Sequence, residues 1–356
     1  MIWMLLLLAG VLLAIAQKYW AGETLRKLSL ESAGDCLLAE PGQRITWQIT
    51  LRNHSPLPAL FARLQLHFPV NTVFEANDVW VKGHCRQTLQ YWHVEEKFSI
   101  LPRRSVKRSV AFSLPERGQY SIGSYRLSAG DLLGFREEAL NGPGGKIVVM
   151  PREAHGRKSM DALGSFLGDR SVRRFILEDP ILTVGFRDYT GREPMKTISW
   201  SRTATAGSLQ VKQFDYTAQQ TAMILLDVEG GQPDELEGCF RLMRSVCQTL
   251  EARKIPYGLR TNGSLPGPLG QMFFLAEGLG SSHLTTILYG LGRADYACYY
   301  SLRYLTQQAL QNRKQNEAYI LITPRITDSV NIYMRKLHAA MGNPVCVLTG
   351  DEEAQL

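Results

Sequence analysis

From Ala222 to Leu348 short apolar runs alternate with stretches of helical spacing, and no other feature constrains the fold so strongly. Ala222 to Leu226 (A-M-I-L-L), Ile255 to Arg260, Ala318 to Thr323 (A-Y-I-L-I-T) and Pro344 to Leu348 have strand length and are apolar almost throughout. Between them, Pro233 to Arg253 carries Leu236, Phe240, Met243, Cys247 and Leu250 at helical spacing. His283 to Leu291, Tyr300 to Gln311 and Ile326 to Met341 are read as further helices, and Asn262 to Gly270 as a Gly/Pro-rich loop. Apolar strands alternating with helices imply a parallel sheet covered on both faces. In such a sheet ligands gather beyond the carboxyl ends of the strands. Asp227 stands at that end of the first strand, followed by Val228, Glu229, Gly230 and Gly231.

The part before Met150 has another texture. Ile45 to Leu51 and Phe61 to Phe68 alternate apolar and polar residues, as half-buried strands do. Pro69, Pro102 and Pro115 punctuate the segments, and long helical periodicity is missing. This spacing predicts an antiparallel sandwich over residues 21–150. Arg117 to Phe135, with Gly118, Gly123, Gly130 and Gly134, is read as a hairpin followed by a closing turn. His54, His67, His84 and His93 lack metal-ligand spacing and are read as structural or surface residues.

Residues 1–16 carry no charge, and as helix they span roughly 24 Å, a little short of a ~30 Å hydrocarbon core. Lys18, Tyr19 and Trp20 suit the interface that follows. Residues 1–20 are therefore expected to be a single-pass membrane anchor. Lys18, Arg26 and Lys27 lie after the uncharged run and no Lys or Arg before it, which by the positive-inside rule places the body in the cytoplasm. The competing reading is a signal peptide cleaved after Ala14-Ile15-Ala16, although its charged leading region is missing.

A net charge of +7 suits an anionic lipid surface or an acidic partner. It does not point to nucleic acid, because no long Lys/Arg block is interleaved with aromatics. None of the six cysteines forms a C-x-x-C pair, so they are read as small buried hydrophobes in a reducing compartment. Ser282 beside His283, and Cys85 with His93, lack the orienting acid of a catalytic triad, and the chain has no P-loop. The expectation is a non-enzymatic protein without a cofactor.

Residues 151–185 are polar and basic and read as a flexible connection. Beyond it come Arg187, Tyr189 and Gly191, then Ile198 and Trp200, then Leu209, Val211, Lys212 and Phe214. Thr197 to Trp200 and Ser208 to Phe214 are read as short strands. This order resembles the pattern of the DUF58 family: R-x-Y-x-x-G-D, then I-x-W, then L-x-V-K-x-F. Here the glycine sits one place early, and Arg192-Glu193 replaces the aspartate. Arg117-Gly118-Tyr120 and Asp131-Gly134-Phe135 resemble the end of the family's β-sandwich.

The resemblance implies an α+β multidomain protein of bacterial type. It has an N-terminal membrane helix (the family usually has two), an Ig-like β-sandwich, and at 186–356 a doubly wound α/β domain similar to the von Willebrand factor A domain. A-like domains hold a divalent cation through D-x-S-x-S. Asp227 stands at the aspartate, but Glu229 and Gly231 replace the serines, and a later Ser-Asp reads Thr323-Pro324. The metal site is therefore read as degenerate, with Asp227 and Glu229 more simply a solvated or helix-end pair. The resemblance further implies an interaction protein acting with a MoxR-type AAA+ ATPase in a chaperone-like or assembly role. Docking would use loops at the sheet's carboxyl end, with Arg325 and Asp328 as contributors or as helix caps. The alternative is an exported cell-surface binding or adhesion protein on the same fold.

Overall fold

The computed structural model describes residues 28–34, 38–75, 85–130, 137–154, 157–174, 179–191, 193–215, 221–267, 270–312, 317–341 and 345–350, with scattered positions before 28. The expected anchor at 1–20 and the Asp131-Gly134-Phe135 motif lie largely outside these residues. Among the described residues no helix is long and apolar enough to cross a membrane. The chain divides into two compact units, Met1–Arg152 with Leu288–Ala294, and Glu153–Ile287 with Asp295–Leu356.

The first unit is a mainly antiparallel β-sandwich of twelve described strands. In order they are β1 (Leu28–Gly34), β2 (Leu38–Ala39), β3 (Ile45–Asn53), β4 (Ala59–Pro69), β5 (Val73–Phe74) and β6 (Cys85–Gln87). There follow β7 (Tyr91–Ile100), β8 (Ser105–Ser113), β9 (Gly118–Ile122), β10 (Ser124–Gly130), β11 (Glu137–Gly142) and β12 (Gly145–Val149). One sheet runs β1-β3-β8-β5, a second β11-β10-β4-β7-β6, and a small third β2-β12-β9. Alternation does what the pattern predicts: Ile45, Trp47, Ile49 and Leu51 of β3 point inward to Leu64, Leu66 and Phe68 of β4. Phe68 meets Phe74 and Phe112 edge-on at 5.3 and 5.5 Å between ring centres.

The segment after Arg117 is not a hairpin. β9 pairs with β12, whereas β10 pairs with β4 and β11. The chain changes sheets at Gly123, whose φ of 68° is available at little cost only to glycine. The Gly123 N–H donates to the His67 carbonyl at 3.0 Å, which pins the crossing.

The second unit is built on a five-stranded sheet. Its strands are β15 (Thr221–Leu226), β16 (Tyr257–Gly267), β17 (Gly270–Gly278), β18 (Glu317–Thr323) and β19 (Val345–Thr349). Their order is β17-β16-β15-β18-β19, with β17 antiparallel to β16 and the remaining pairs parallel. The central strands are buried on both faces, as their unbroken apolar runs require. On one face Met223, Leu225, Tyr319 and Leu321 pack against α5 (Leu302–Gln311) and α6 (Asp328–Met341). Helix α3 (Pro233–Ala252) buries Leu236, Phe240, Met243, Cys247 and Leu250. It starts with Pro at its first position and Asp234 and Glu235 in its first turn, where carboxylates oppose the helix dipole favourably.

Three segments differ from the sequence reading. Within 151–185, expected to be flexible, lies helix α1 (Arg157–Arg174), with Leu163 and Leu167 buried. β13 (Asp179–Asp188) then pairs with β14 (Gln210–Asp215) as a two-stranded ribbon. Thr197 to Trp200 is not a strand: Ile198 makes one bridge to Val211, and Trp200 opens helix α2 (Trp200–Ala206) with its ring 62% exposed. Asn262 to Gly267, expected to be part of a loop running to Gly270, is strand, and 268–269 lie outside the described residues. Its Asn, Gly, Ser and Pro read as turn chemistry, but β17 supplies a ladder partner, and a register shift between Arg260 and Leu265 absorbs the irregularity. Helix α4 (Ser281–Arg293) follows β17.

Gly123→Ala should destabilise the sandwich by about 2–3 kcal/mol, from left-handed strain plus a Cβ set 2.8 Å from Trp47 Nε1. Urea unfolding followed by tryptophan fluorescence checks this; an unchanged midpoint would show that the crossing tolerates a side chain.

Candidate functional site

The carboxyl ends of β15 and β18 meet the middle of β16 at a buried carboxylate. Asp227 follows β15 and is 2% exposed. Its Oδ1 accepts from Asn262 Nδ2 at 2.6 Å and from the Glu229 N–H at 3.0 Å. Its Oδ2 accepts from Thr323 Oγ1 at 2.9 Å. Asn262 is itself fully buried, and its Oδ1 accepts from the Val228 N–H at 2.9 Å. Burial raises the Asp227 pKa, and the three hydrogen bonds oppose that rise.

The A-like metal pattern does not fit this arrangement. Asp227 turns inward to protein donors. Glu229 Oε2 accepts from the Leu302 N–H at 2.6 Å, where a carboxylate suits a helix start. At Gly231 a Cβ would stand 2.7 Å from Leu236 Cδ2 and 2.9 Å from Pro324 Cβ, so a serine ligand has no room. Among the described residues no three His, Cys, Asp or Glu side chains are grouped to hold a metal ion.

Asn262 links this knot to an aromatic surface. Its carbonyl accepts from the N–H groups of Tyr299 and Tyr300 at 2.9 and 3.1 Å. Phe273 of β17 meets Tyr299 and Tyr300 edge-on, with ring centres 5.7 and 5.3 Å apart. Tyr300 stacks on Tyr304 at 4.8 Å. All three tyrosines are more than 40% exposed. The sequence reading missed this ladder, yet Tyr296, Tyr299, Tyr300 and Tyr304 fall within nine residues, a density that could have marked it. Cys298 lies on the same loop and is exposed, unlike the buried Cys239, Cys247 and Cys346; burial and the Glu229 and Asp227 carboxylates raise its pKa.

The remaining predicted residues serve other ends. Arg187 pairs with Glu193 at 2.6 Å, and Glu193 also accepts from the Thr190 N–H and hydroxyl. The Thr190 hydroxyl, then Arg187, hold the Glu193 carboxyl down to about 2. Gly191 takes a φ of 85° in this turn, Tyr189 N–H donates to the Leu209 carbonyl, and Lys212 sits opposite Phe186. Phe214 pairs with Thr183 through the backbone. Of the resemblance motif, Arg187, Val211, Lys212 and Phe214 thus lie on the ribbon and Trp200 on α2, and Glu193 stands near the place of its aspartate. Arg325 pairs with Glu235 at 2.5 Å in the first turn of α3, and Asp328 opens α6. His283 Nε2 donates to the Tyr257 carbonyl at 2.8 Å rather than facing Ser282.

The fold is a mixed α+β arrangement: a β-sandwich unit and a unit with a mainly parallel sheet. No family model and no curated protein matches the chain. Among solved structures it is similar to the CARDB domain of the PF1109 protein from Pyrococcus furiosus, at 8% identity and a TM-score of 0.22, covering 34% of this chain and 91% of that one. A variant of Salmonella alpha-2-macroglobulin matches at 11% identity and a TM-score of 0.27, covering 35% of this chain and 9% of that one. Spo0M, a sporulation control protein from Bacillus subtilis, matches at 14% identity and a TM-score of 0.21, covering 46% of this chain and 58% of that one. At such scores the likenesses carry no functional argument.

Asp227→Ala should cost about 2–4 kcal/mol, because Asn262 Nδ2 and Thr323 Oγ1 lose a buried acceptor. Asp227→Asn should be tolerated, since the Thr323 hydroxyl can turn to accept. The raised pKa means that the folded state holds this proton more tightly. The stability it contributes is full below the ordinary value of 3.8 and is lost as pH rises through the raised value. Wild type should therefore lose stability relative to Asp227→Asn across that window, measured by denaturation with circular dichroism. Magnesium should leave both melting midpoints unmoved.

Proposed function

We propose that this chain is a membrane-anchored, non-enzymatic docking protein of the DUF58 type, whose A-like domain engages a MoxR-type AAA+ ATPase. The exposed tyrosines Tyr299, Tyr300 and Tyr304, set against the half-buried Phe273, carry the reading. Rigid aromatic rings supply large contact area for little conformational entropy, and they dominate protein interfaces. The strand order, doubly wound with one antiparallel edge, supports the A-like assignment. The Asp227 hydrogen bonds support recognition by shape and apolar contact rather than through a shared cation. For the anchor, the described apolar side chains Trp3, Leu8, Val11, Leu12 and Ile15 are each at least half exposed, as lipid-facing side chains are. Lys18 and the basic residues after it support a body on the cytoplasmic side.

Full-length protein purified from membranes should retain an AAA+ ATPase. Tyr300→Ala with Tyr304→Ala should weaken that capture roughly tenfold or more, whereas Asp227→Asn should not. Recovery of no ATPase under several nucleotide conditions, or equal capture by the tyrosine variant, would sink the reading.

A further inference from the structure

The outer face of the β11-β10-β4-β7-β6 sheet carries a second feature, unrelated to the aromatic ladder. Alternation turns Leu64, Leu66, Val94 and Leu127 into the core, so their neighbours Arg63, Gln65, His67, His93, Glu95, Lys97 and Arg126 face outward. The register sets Arg86 opposite His93 and His93 opposite His67. It likewise sets Glu95 opposite Gln65, and Lys97 opposite Arg63. A cleft of about 780 Å³ opens here, among Gln65, Arg86, Thr88, His93, Glu95 and Lys97. That volume lies within the range of small-molecule sites, roughly 300–1,000 Å³.

The charge of this face is one-sided. Among its described side chains Arg63, Arg86, Lys97 and Arg126 oppose the single carboxylate Glu95. Glu95 is already held, by Arg63 at 3.3 Å and by Gln65 Nε2 at 3.2 Å. Arg86, Lys97 and Arg126 form no ion pair among the described residues. Two imidazoles stand between them: His67 and His93 meet edge-on with ring centres 4.7 Å apart. His67 Nδ1 donates to the Ser124 carbonyl at 3.1 Å, and His93 Nε2 lies 3.2 Å from the Thr88 hydroxyl. Burial first, then the neighbouring His67 and Arg86, lowers the His93 pKa.

We infer that this cleft binds a phosphate group, borne either by a soluble ligand or by a phospholipid headgroup. The Arg86 guanidinium, the Lys97 ammonium and the Gln65 and Gln87 amides line it. Tetrahedral phosphate oxygens can accept from all of them, and Arg and Lys are the usual partners of such oxygens. A metal cation is disfavoured by the same charges.

The test uses the full-length protein, with inorganic pyrophosphate as the soluble probe. Arg86 and Lys97 are exposed, so Arg86→Ala with Lys97→Ala should fold; circular dichroism confirms it. Calorimetry should show pyrophosphate binding that weakens with salt and falls roughly tenfold or more in the double variant. Glu95→Gln should bind more tightly. Flotation with phosphatidylglycerol–phosphatidylcholine vesicles, against phosphatidylcholine alone, identifies the source. Insertion by residues 1–20 is common to both proteins, so only a loss specific to the double variant counts. Vesicle binding that depends on Arg86 and Lys97, without pyrophosphate binding, assigns the phosphate to a lipid headgroup. The inference is overturned if neither probe binds, or if the double variant binds both as wild type does.

Discussion

Asp227 sits where two parallel strands end beside a third, and the geometry around it depends on keeping its carboxylate paired. An isolated buried charge costs several kcal/mol, so the group must be hydrogen-bonded or give up its ionisation. Asn262, Thr323 and the Glu229 N–H satisfy it from β16, β18 and the following turn. Asn262 then spends its remaining capacity on Val228, Tyr299 and Tyr300. One residue, through its side-chain amide and its backbone carbonyl, therefore ties strand, turn and tyrosine loop together. Rings held in this way would lose less entropy on meeting a partner of the kind proposed.

The two units solve burial differently. The sandwich buries alternate residues of each strand and leaves the others to solvent, which frees a whole sheet face for charge. Arg63, Arg86, Lys97 and Arg126 occupy that freedom. The α/β unit buries its central strands on both faces, so polar chemistry is confined to strand ends and loops. Asp227, Glu229 and the tyrosines stand at such an end. The ribbon of β13 and β14 belongs to neither scheme and is braced locally, through Arg187, Glu193 and Thr190.

Much of the fold was legible because hydrophobic period is a local property. Ile45 to Leu51 alternates and is a strand; Pro233 to Ala252 repeats at helical spacing and is a helix. Two of the failures share one cause. Asn262 to Gly267 carries turn residues yet forms a strand, because β17, which the pattern did not reveal, pairs with it. Gly118 to Gly130 looks like a hairpin, but its two strands join different sheets. Helix α1 has a weak apolar pattern and was hidden by its charge.

The candidate site divides in the same way. Sequence alone placed Asp227 at the end of a buried strand and showed that Glu229 and Gly231 depart from a serine-bearing metal pattern. Only the tertiary structure showed what the carboxylate does instead, since Asn262 lies 35 residues away and Thr323 96 residues away. It also brought Phe273 beside Tyr299 and Tyr300, and Arg86 across from His93 and His67. Residue spacing fixes periodicity along one element, because neighbours on a strand or helix are set by backbone geometry. Partners on different elements are chosen by strand order and register, which depend on the packing of the whole chain.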